Sequence, residues 1–568
     1  MPEHRDRKET RASYVHGVSD TPLTGLTVGR LLARAIADHP ANEALVVPFQ
    51  DVRWTYQRLG EQVDEVAAGL VALGLKPGER IGLWAPNMAE WVVLQFATAR
   101  AGLILVNINP AYRLSELEYA LVQAGVAALV LVPSFKTSDY LEMLAELLPD
   151  LAGSNPGEPS GATVPGLRWV VTLGDTAAPG TITYGELKAG ATRAARARVD
   201  ELATLLQFDD PVNIQFTSGT TGRPKAATLS HHNIVNNAWF TGVCMRLGPG
   251  DRMCIPVPMY HCFGMVLGTL CCVAHGATMV FAAAGFDATA TMETVEAERC
   301  TALHGVPTMF IAELDSPGFA ARDLSSLRTG IIAGAPCPAE LMKRIMGEMH
   351  MDQITIAYGM TETGPVSTQT SVDDPAERRT ETVGRVLPHT EIKIVDPMRR
   401  IVPRGTAGEL LTRGYCVMPK YWNDPDKTAQ AIDEARWIAS GDIAVLDDAG
   451  YFRIVGRIKD MLIRGGENIF PREIEDFLYT HPAIEQVEVI GVPDARYGEE
   501  VCAWIKLRDS HDATAEQIRD FCRGRIAHFK IPRYVRFVDA YPMTVTGKVQ
   551  KYVMREIMAR ELAEAEDA

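Results

Sequence analysis

From about Leu31 onward, the apolar residues of this chain alternate between two spacings. In Glu61 to Leu73 and Glu118 to Ala124 they recur every three to four positions, which predicts helices with one buried face. Arg80 to Trp84 and Ala128 to Val132 are short apolar runs of the kind that form buried strands, and Val212 to Phe216 alternates with a strand's period of two. Helical and strand segments that take turns in this way predict α/β layers with largely parallel sheets. The stretch from Leu151 to Gly166, rich in Gly, Pro and Ser, reads as a surface connection within that unit.

The rhythm changes toward the C-terminus. Glu409 to Thr412 and Tyr451 to Ile454 are strand candidates, with the turn residues Asp447-Asp448-Ala449-Gly450 ahead of the second, so this piece reads as β-rich. Beyond a boundary near Ile458 to Asp460, the pattern predicts helices over Arg472–Tyr479 and Ala515–Arg525 and strands over Val487–Val492 and Val535–Val538. The expected organisation is therefore a large N-terminal domain, residues 1–458, of layered α/β subdomains plus a β-rich subdomain, followed by a small α+β C-terminal domain, residues 459–568. The chain shows no internal repeat.

Composition narrows the class. At 568 residues the chain exceeds one ordinary core and points to two to four structural units, and 47% hydrophobic with 22% charged residues is the balance of a folded globular protein. A net charge of -15, with no Lys/Arg-rich run, argues against a nucleic-acid partner, so a polyanionic ligand has to meet positive charge made locally. Ten cysteines lack metal-ligand spacing; they read as reduced, mostly buried thiols of an intracellular protein. The charged start of the chain lacks the apolar stretch of a signal peptide, no run of about 18 apolar residues suggests a membrane span, and the final Glu-Asp-Ala matches no peroxisomal or prenylation signal. The expectation is a cytoplasmic protein with no integral membrane segment.

The chemistry concentrates after the strand Val212 to Phe216. Thr217-Ser218-Gly219-Thr220-Thr221-Gly222-Arg223-Pro224-Lys225 puts four hydroxyls, two glycines and two cations into nine residues. Glycines bring backbone N–H groups close to phosphate oxygens, the hydroxyls donate hydrogen bonds, and Arg223 and Lys225 offset charge, so the loop suits a polyphosphate. It is not a Walker A loop, because Pro224 precedes the lysine and Ala226 follows it.

The order Ser-Gly-Thr-Thr-Gly-x-Pro-Lys resembles the signature of the adenylate-forming enzymes: acyl-CoA synthetases, peptide-synthetase adenylation domains and luciferases. Tyr358-Gly359-Met360-Thr361-Glu362 is similar to that family's adenine and magnesium segment. The resemblance implies that Tyr358 stacks on adenine, Thr361 meets phosphate and Glu362 ligates Mg²⁺ through hard carboxylate oxygens, with Gly334-Ala335-Pro336 lining the other adenine face. By the same resemblance Asp442 accepts the ribose hydroxyls and Arg457 reaches ribose or phosphate, with Ser440 standing where the family usually has Thr. Lys459 falls on the family's hinge position, which implies a mobile C-terminal domain. Gly465 and Gly466 fall on its thiol-stage loop, and Lys530 accompanies them at the CoA stage. Lys548, in Thr544-Val545-Thr546-Gly547-Lys548, matches the catalytic lysine, with Lys551 the second choice, and His261 matches a gate between acyl and thiol sites.

The resemblance runs from Trp54-Thr55-Tyr56 to Lys548 and is nearest to the medium-chain fatty acyl-CoA synthetase branch, through Gly-Tyr-Cys-Val-Met at 414–418 and His-Phe-Lys-Ile-Pro at 528–532. One departure is Ala226, where the family usually has Gly. The implied activity is ATP-dependent ligation of a small carboxylic or fatty acid to CoA through an acyl-adenylate, with ATP, Mg²⁺ and CoA as the small-molecule requirements. Two rivals stay open at this level: an adenylate-forming enzyme with a non-CoA second step, such as carrier-protein acylation or nitrite-dependent diazotisation, and a nucleotide-binding regulator that has lost catalysis. These motifs fix neither the acid nor the oligomeric state.

Overall fold

The structure, a computed structural model, describes residues 11–158, 161–175, 177–217, 223–465, 467–494, 496–508, 511–543 and 549–566. Two large sheets carry the N-terminal domain. The eight-stranded sheet runs in the order Ile182–Thr183, Trp169–Thr172, Val126–Leu131, Arg80–Trp84, Ile104–Asn107, Pro211–Thr217, Lys225–Ser230, Lys420–Tyr421. Its pairings are parallel as far as Pro211–Thr217, and the last two are antiparallel. The nine-stranded sheet is parallel from Gln353–Gly359 through Thr329–Ile332, Ala302–Gly305, Arg252–Cys254 and Thr278–Val280 to Glu43–Val47, with antiparallel strands at both margins.

One continuous core joins the two sheets, with Ile81 and Leu83 of the first in the same cluster as Leu45, Met253 and Ile331 of the second. The helix Ala89–Arg100 is apolar nearly all round and is buried at almost every position, Trp91 and Phe96 completely, as an all-apolar helix requires. A third, antiparallel five-stranded sheet, Tyr14–His16, Thr390–Val395, Gly408–Gly414, Ile438–Leu446 and Phe452–Arg457, is the β-rich subdomain, with its own core of Ile392, Ile394, Leu410, Leu446 and Phe452.

The small C-terminal domain is built on the long hairpin Ile484–Asp494 and Gly498–Leu507, extended by Leu462–Arg464, Glu467–Ile469 and the parallel strand Tyr534–Phe537. Helices Pro471–Leu478 and Ala515–Cys522 bury Ile474, Leu478 and Ile518 against it. The helix Lys551–Glu566 adds Met554 and Met558 to a second cluster with Trp504 and Tyr541.

The predicted elements are present, with ends moved by local chemistry. The helix expected from Glu61 starts at Tyr56, because Thr55 Oγ1 accepts the Arg58 N–H at 3.2 Å and caps it. The helix expected from Glu118 starts at Leu114. The one expected to reach Arg525 stops at Cys522, where Gly524, at φ +71°, turns the chain out of the helix. The 151–166 connection is anchored through buried Leu151 and Val164. All ten cysteines are thiols outside any disulfide, nine of them buried.

Parallel topology puts the functional segments on common ground. Thr217 ends the strand Pro211–Thr217, Tyr358 and Gly359 end Gln353–Gly359, and Ala333 follows its neighbour Thr329–Ile332. These are carboxyl ends of parallel strands, where ligands of open α/β sheets sit.

Candidate active site

Thr217 and Lys225 are direct partners in the antiparallel pair that flanks the phosphate-type loop, so the loop leaves and re-enters the sheet at one rung. Ser218, Gly219, Thr220, Thr221 and Gly222 lie outside the described residues. The loop's exit is held by Tyr119, which donates its hydroxyl to Pro224 O at 3.0 Å and places its ring 5.4 Å from the Arg223 guanidinium. Ala226 is buried opposite Phe216, and its carbonyl accepts the Trp422 N–H at 2.8 Å. Its departure from the usual glycine is thus a methyl group packed inside a strand pair.

Glu362 comes to the same place from 145 residues away. It sits in the short 3₁₀ turn Thr361–Thr363 and is buried, and its Oε1 accepts from Thr217 Oγ1 at 3.0 Å and from Tyr421 OH at 2.9 Å. Tyr421 lies on the outermost strand of the eight-stranded sheet, with its ring 5.2 Å from Lys225 Nζ. Burial, then the Glu362 charge, holds the Tyr421 phenol far above its ordinary range, so it stays a donor. Gly359 has to be glycine, because a Cβ there would stand 2.0 Å from Pro365 O.

A second constellation adjoins the first through the Tyr358–Glu362 segment. Tyr358 OH donates to Asp442 Oδ2 at 2.7 Å, and Arg457 Nε lies 2.9 Å from Asp442 Oδ1. Asp442 and Arg457 face each other across an antiparallel pair, so their register alone brings them together. Ser440 Oγ donates to Leu410 O at 2.7 Å and accepts the Asp442 N–H at 3.0 Å, work a hydroxyl does whether it belongs to Ser or Thr. Gly334, at φ +88°, Ala335 and Pro336 are exposed just past the strand beside that of Tyr358.

Thr361 Oγ1 lies 3.6 Å from Cys262 Sγ, which ties this segment to the neighbour of His261. His261 Nδ1 accepts the Phe263 N–H at 3.2 Å, which places the proton of the neutral ring on Nε2. The π-helical turn Phe263–Leu270 follows, and Gln95 Nε2 and His304 Nε2 bond its Met265 and Leu267 carbonyls at 3.1 and 3.0 Å.

The residues assigned to the second stage lie on the small domain. Lys459 is exposed in the 3₁₀ turn Ile458–Asp460, and Asp460 pairs with Arg555 of the last helix at 2.9 Å. Gly465, at φ +59°, donates its N–H to Tyr497 O at 2.9 Å, and Gly466 lies outside the described residues. Lys530 is ion-paired with Glu473. Arg472 Nη2 donates to Cys337 O at 3.3 Å, which brings this domain beside the Gly334–Pro336 segment. Lys548 lies outside the described residues, whereas Lys551 is engaged by Glu475 and Glu488 inside the small domain.

A loop rich in hydroxyls and cations with an acidic turn at its base is the combination on which comparison with known proteins turns. The model of the AMP-binding enzyme family matches residues 32–422, and that of the AMP-binding enzyme C-terminal domain matches residues 473–548. The chain belongs to the AMP-binding enzyme family. It is 48% identical over 555 residues, 97% of this chain and 91% of the relative, to the zebrafish (Danio rerio) medium-chain acyl-CoA ligase ACSF2, mitochondrial. It is 48% identical over 531 residues, 93% of this chain and 96% of the relative, to the putative acyl-CoA synthetase YngI of Bacillus subtilis. The solved structure of the anthranilate CoA ligase AuaEII in complex with anthranoyl-AMP is similar, with a TM-score of 0.84 at 28% identity over 96% of this chain and 99% of that one. Among the described residues of this AMP-binding enzyme, no helix is long and apolar enough to cross a membrane.

The order of residues in the loop singled out Thr217 and Lys225, the resemblance to the family added Tyr358, Glu362, Asp442 and Arg457, and the fold brings these side chains together. Tyr421 and Tyr119 escaped both: Tyr421 sits on a strand of two residues, and Tyr119 has no feature that separates it from any other residue on a helix surface.

Proposed function

We propose that this AMP-binding enzyme is an ATP-dependent carboxylic (fatty) acid:CoA ligase that forms an acyl-adenylate and releases AMP and pyrophosphate. The observation that carries the reading is the 3.0 Å bond between Thr217, at the root of the phosphate-type loop, and Glu362, at the end of the adenine-type segment. The names of the relatives at 48% identity favour CoA over the other acceptors, and medium-chain acids are the first substrates to try.

The substrate carboxylate is ionised at neutral pH and needs no base; what opposes reaction is charge repulsion. Its oxygen forms a bond to the α-phosphorus as the bond to the β-phosphate oxygen breaks, releasing pyrophosphate. The CoA sulfur then bonds to the acyl carbon, the bond from that carbon to the AMP oxygen breaks, and the thiol proton goes to solvent. In this reading residues 217–225 cradle the phosphates, Tyr358 and Gly334–Pro336 enclose the adenine, and Asp442 and Arg457 hold the ribose. Lys548 bridges carboxylate and α-phosphate.

Glu362 is the residue that fits Mg²⁺. It offers one hard carboxylate, with the Thr217 and Tyr421 hydroxyls both on Oε1, and Mg²⁺ typically takes one or two protein carboxylates together with substrate phosphates and water. The ion would supply charge neutralisation at the phosphates. Residues 459–568 are assigned to a domain that turns about Lys459 after adenylation, which hands the site from Lys548 to Gly465, Gly466 and Lys530, with His261 as the gate to the thiol. The ten thiols support assignment to the cytoplasm.

The test is a pyrophosphate-release screen of candidate acids with and without CoA, with mass analysis of the products. Acyl-CoA with equimolar AMP is expected. ADP and phosphate as the stoichiometric products would overturn the reading, and an acyl-adenylate that CoA leaves untouched would replace its second step.

A further inference from the structure

The two hydroxyls that reach Glu362 share one of its oxygens. Thr217 approaches Oε1 from the strand that leads into the loop, and Tyr421 approaches it from the strand that closes the sheet. Among the described residues nothing bonds Oε2. Tyr421 is itself fixed from several directions. It pairs with Ala227, its N–H donates to Thr428 Oγ1 at 3.0 Å, and next to it the Trp422 N–H reaches Ala226 O at 2.8 Å. The Met418 N–H donates to the Glu362 carbonyl at 2.9 Å, so the segment that carries Tyr421 and the turn that carries Glu362 are also joined through the backbone. On its ring face stands Lys225, 5.2 Å from the centroid.

We propose that Tyr421 is a positioning residue of the ATP site: with Thr217 its hydroxyl pins Glu362 Oε1, so that Oε2 is the oxygen presented to the divalent cation that accompanies ATP, while its ring holds Lys225 beside the same phosphates. The identity of the ligand rests on the ligase reading above. The physical argument is one of torsion. A buried carboxylate with a single donor can rotate about its last bond, whereas two donors converging on one oxygen from different strands fix that bond and leave the other oxygen's lone pairs directed. Phenylalanine at this position would keep the ring, its packing and the Lys225 contact, and would remove only the hydroxyl.

The experiment uses the full chain and Tyr421→Phe, with Mn²⁺ as the probe and α,β-methylene-ATP as a nucleotide that cannot be cleaved at the reacting bond. Bound Mn²⁺ is read from the loss of the free-ion paramagnetic resonance signal, so no turnover is involved. The variant is expected to melt like the wild type and to bind Mn²⁺ about tenfold more weakly in the presence of the analogue, the scale for one hydrogen bond to a charged group. Its adenylation rate at low Mg²⁺ is expected to fall by a similar factor and to recover as Mg²⁺ is raised, with thioester formation from supplied acyl-adenylate unchanged. Wild-type Mn²⁺ affinity in the variant overturns the proposal whatever adenylation does, and so does an equal loss in both half-reactions. Tyr421→Leu should in addition weaken binding of the analogue without metal; no change there removes the Lys225 part. A wild type that makes no acyl-adenylate refutes the ligase reading alone, because the Mn²⁺ measurement needs no acid; a wild type that binds no Mn²⁺ with the analogue refutes this one.

Discussion

Lys551 Nζ lies 3.0 Å from Glu488 Oε2 and pairs on its other side with Glu475, so one ammonium serves two carboxylates inside the small domain. One carboxylate is enough to neutralise it, and the second pays for its burial. Glu488 is pushed up to about 7, first by burial, with Lys551 pulling it down and Glu475 pushing it further up. A raised folded-state value means that the native protein holds this proton more tightly than the unfolded chain does. The resulting stability is full below the unfolded carboxylate value, about 4.3, and is lost as pH rises through about 7. Relative to Glu488→Gln, which stays neutral, the wild type is expected to lose a few degrees of melting temperature between pH 5 and pH 8. A wild-type-minus-variant difference that does not move with pH would refute the assignment.

The same triad separates the two lysines near the C-terminus. Lys551→Met leaves buried Glu475 and half-buried Glu488 without their cation, and since removing one partner of a buried ion pair costs up to about 3–5 kcal/mol, it should lower the melting temperature. Lys548→Ala should leave the melt alone and cost roughly 10²–10³ in adenylation rate, the scale of one preorganised donor at developing charge. Thioester formation from supplied acyl-adenylate should be affected much less. Half-reactions measured separately, beside a thermal melt of each variant, check both statements; near wild-type adenylation by Lys548→Ala would move the catalytic role elsewhere.

Thr217 could be read from the chain because a strand followed by a hydroxyl-rich, glycine-containing turn announces itself within ten residues, whereas Glu362 and Asp442, each a lone acid, were reached only through the resemblance of their segments to the family's. The fold class was legible from local order, since helical and strand periods alternate visibly. Tyr421 was not, because Lys420–Tyr421 is too short to show alternation, and its meaning comes from pairing with Ala227, almost two hundred positions away. Strand order is likewise a matter of long-range pairing, which no spacing records. The Lys551 environment was hidden too: nothing near it in sequence reveals that Glu475 and Glu488 converge on it from a helix and a strand. Element ends shifted where a single cap decided them, as Thr55 does for the helix that follows it.

Lys459 stands exposed between Arg457, which is held by Asp442 of the large domain, and Asp460, which is held by Arg555 of the small one. In the rotation proposed for residues 459–568, the backbone between those anchors is where the turn would be absorbed. Lys459→Pro restricts φ there and should slow thioester formation more than adenylation, because only the second step needs the turned arrangement. Single-turnover measurements of each half-reaction give the comparison, and equal slowing of both would count against a pivot at this position.

In the proposed arrangement Asp442 holds the ribose in both half-reactions, so its prediction differs in shape from that of Lys548. Both of its oxygens are engaged in this structure, Oδ2 by Tyr358 OH at 2.7 Å and Oδ1 by Arg457 Nε at 2.9 Å, so the carboxylate is already aimed before any nucleotide arrives. Asp442→Asn keeps the size of the side chain but removes the charge and turns one acceptor into a donor, which can no longer receive a hydroxyl. Hydrogen bonds to a charged group are worth about 1.5–3 kcal/mol, so the apparent affinity for ATP is expected to fall roughly 10- to 100-fold. Binding of a supplied acyl-adenylate should weaken by a comparable factor, whereas the CoA dependence at saturating adenylate should hold, since CoA does not meet this residue in the proposed arrangement. Titration of ATP and of acyl-adenylate against the variant reads both numbers. A loss confined to ATP would place Asp442 on the phosphates rather than the ribose, and no loss in either would remove it from the nucleotide site.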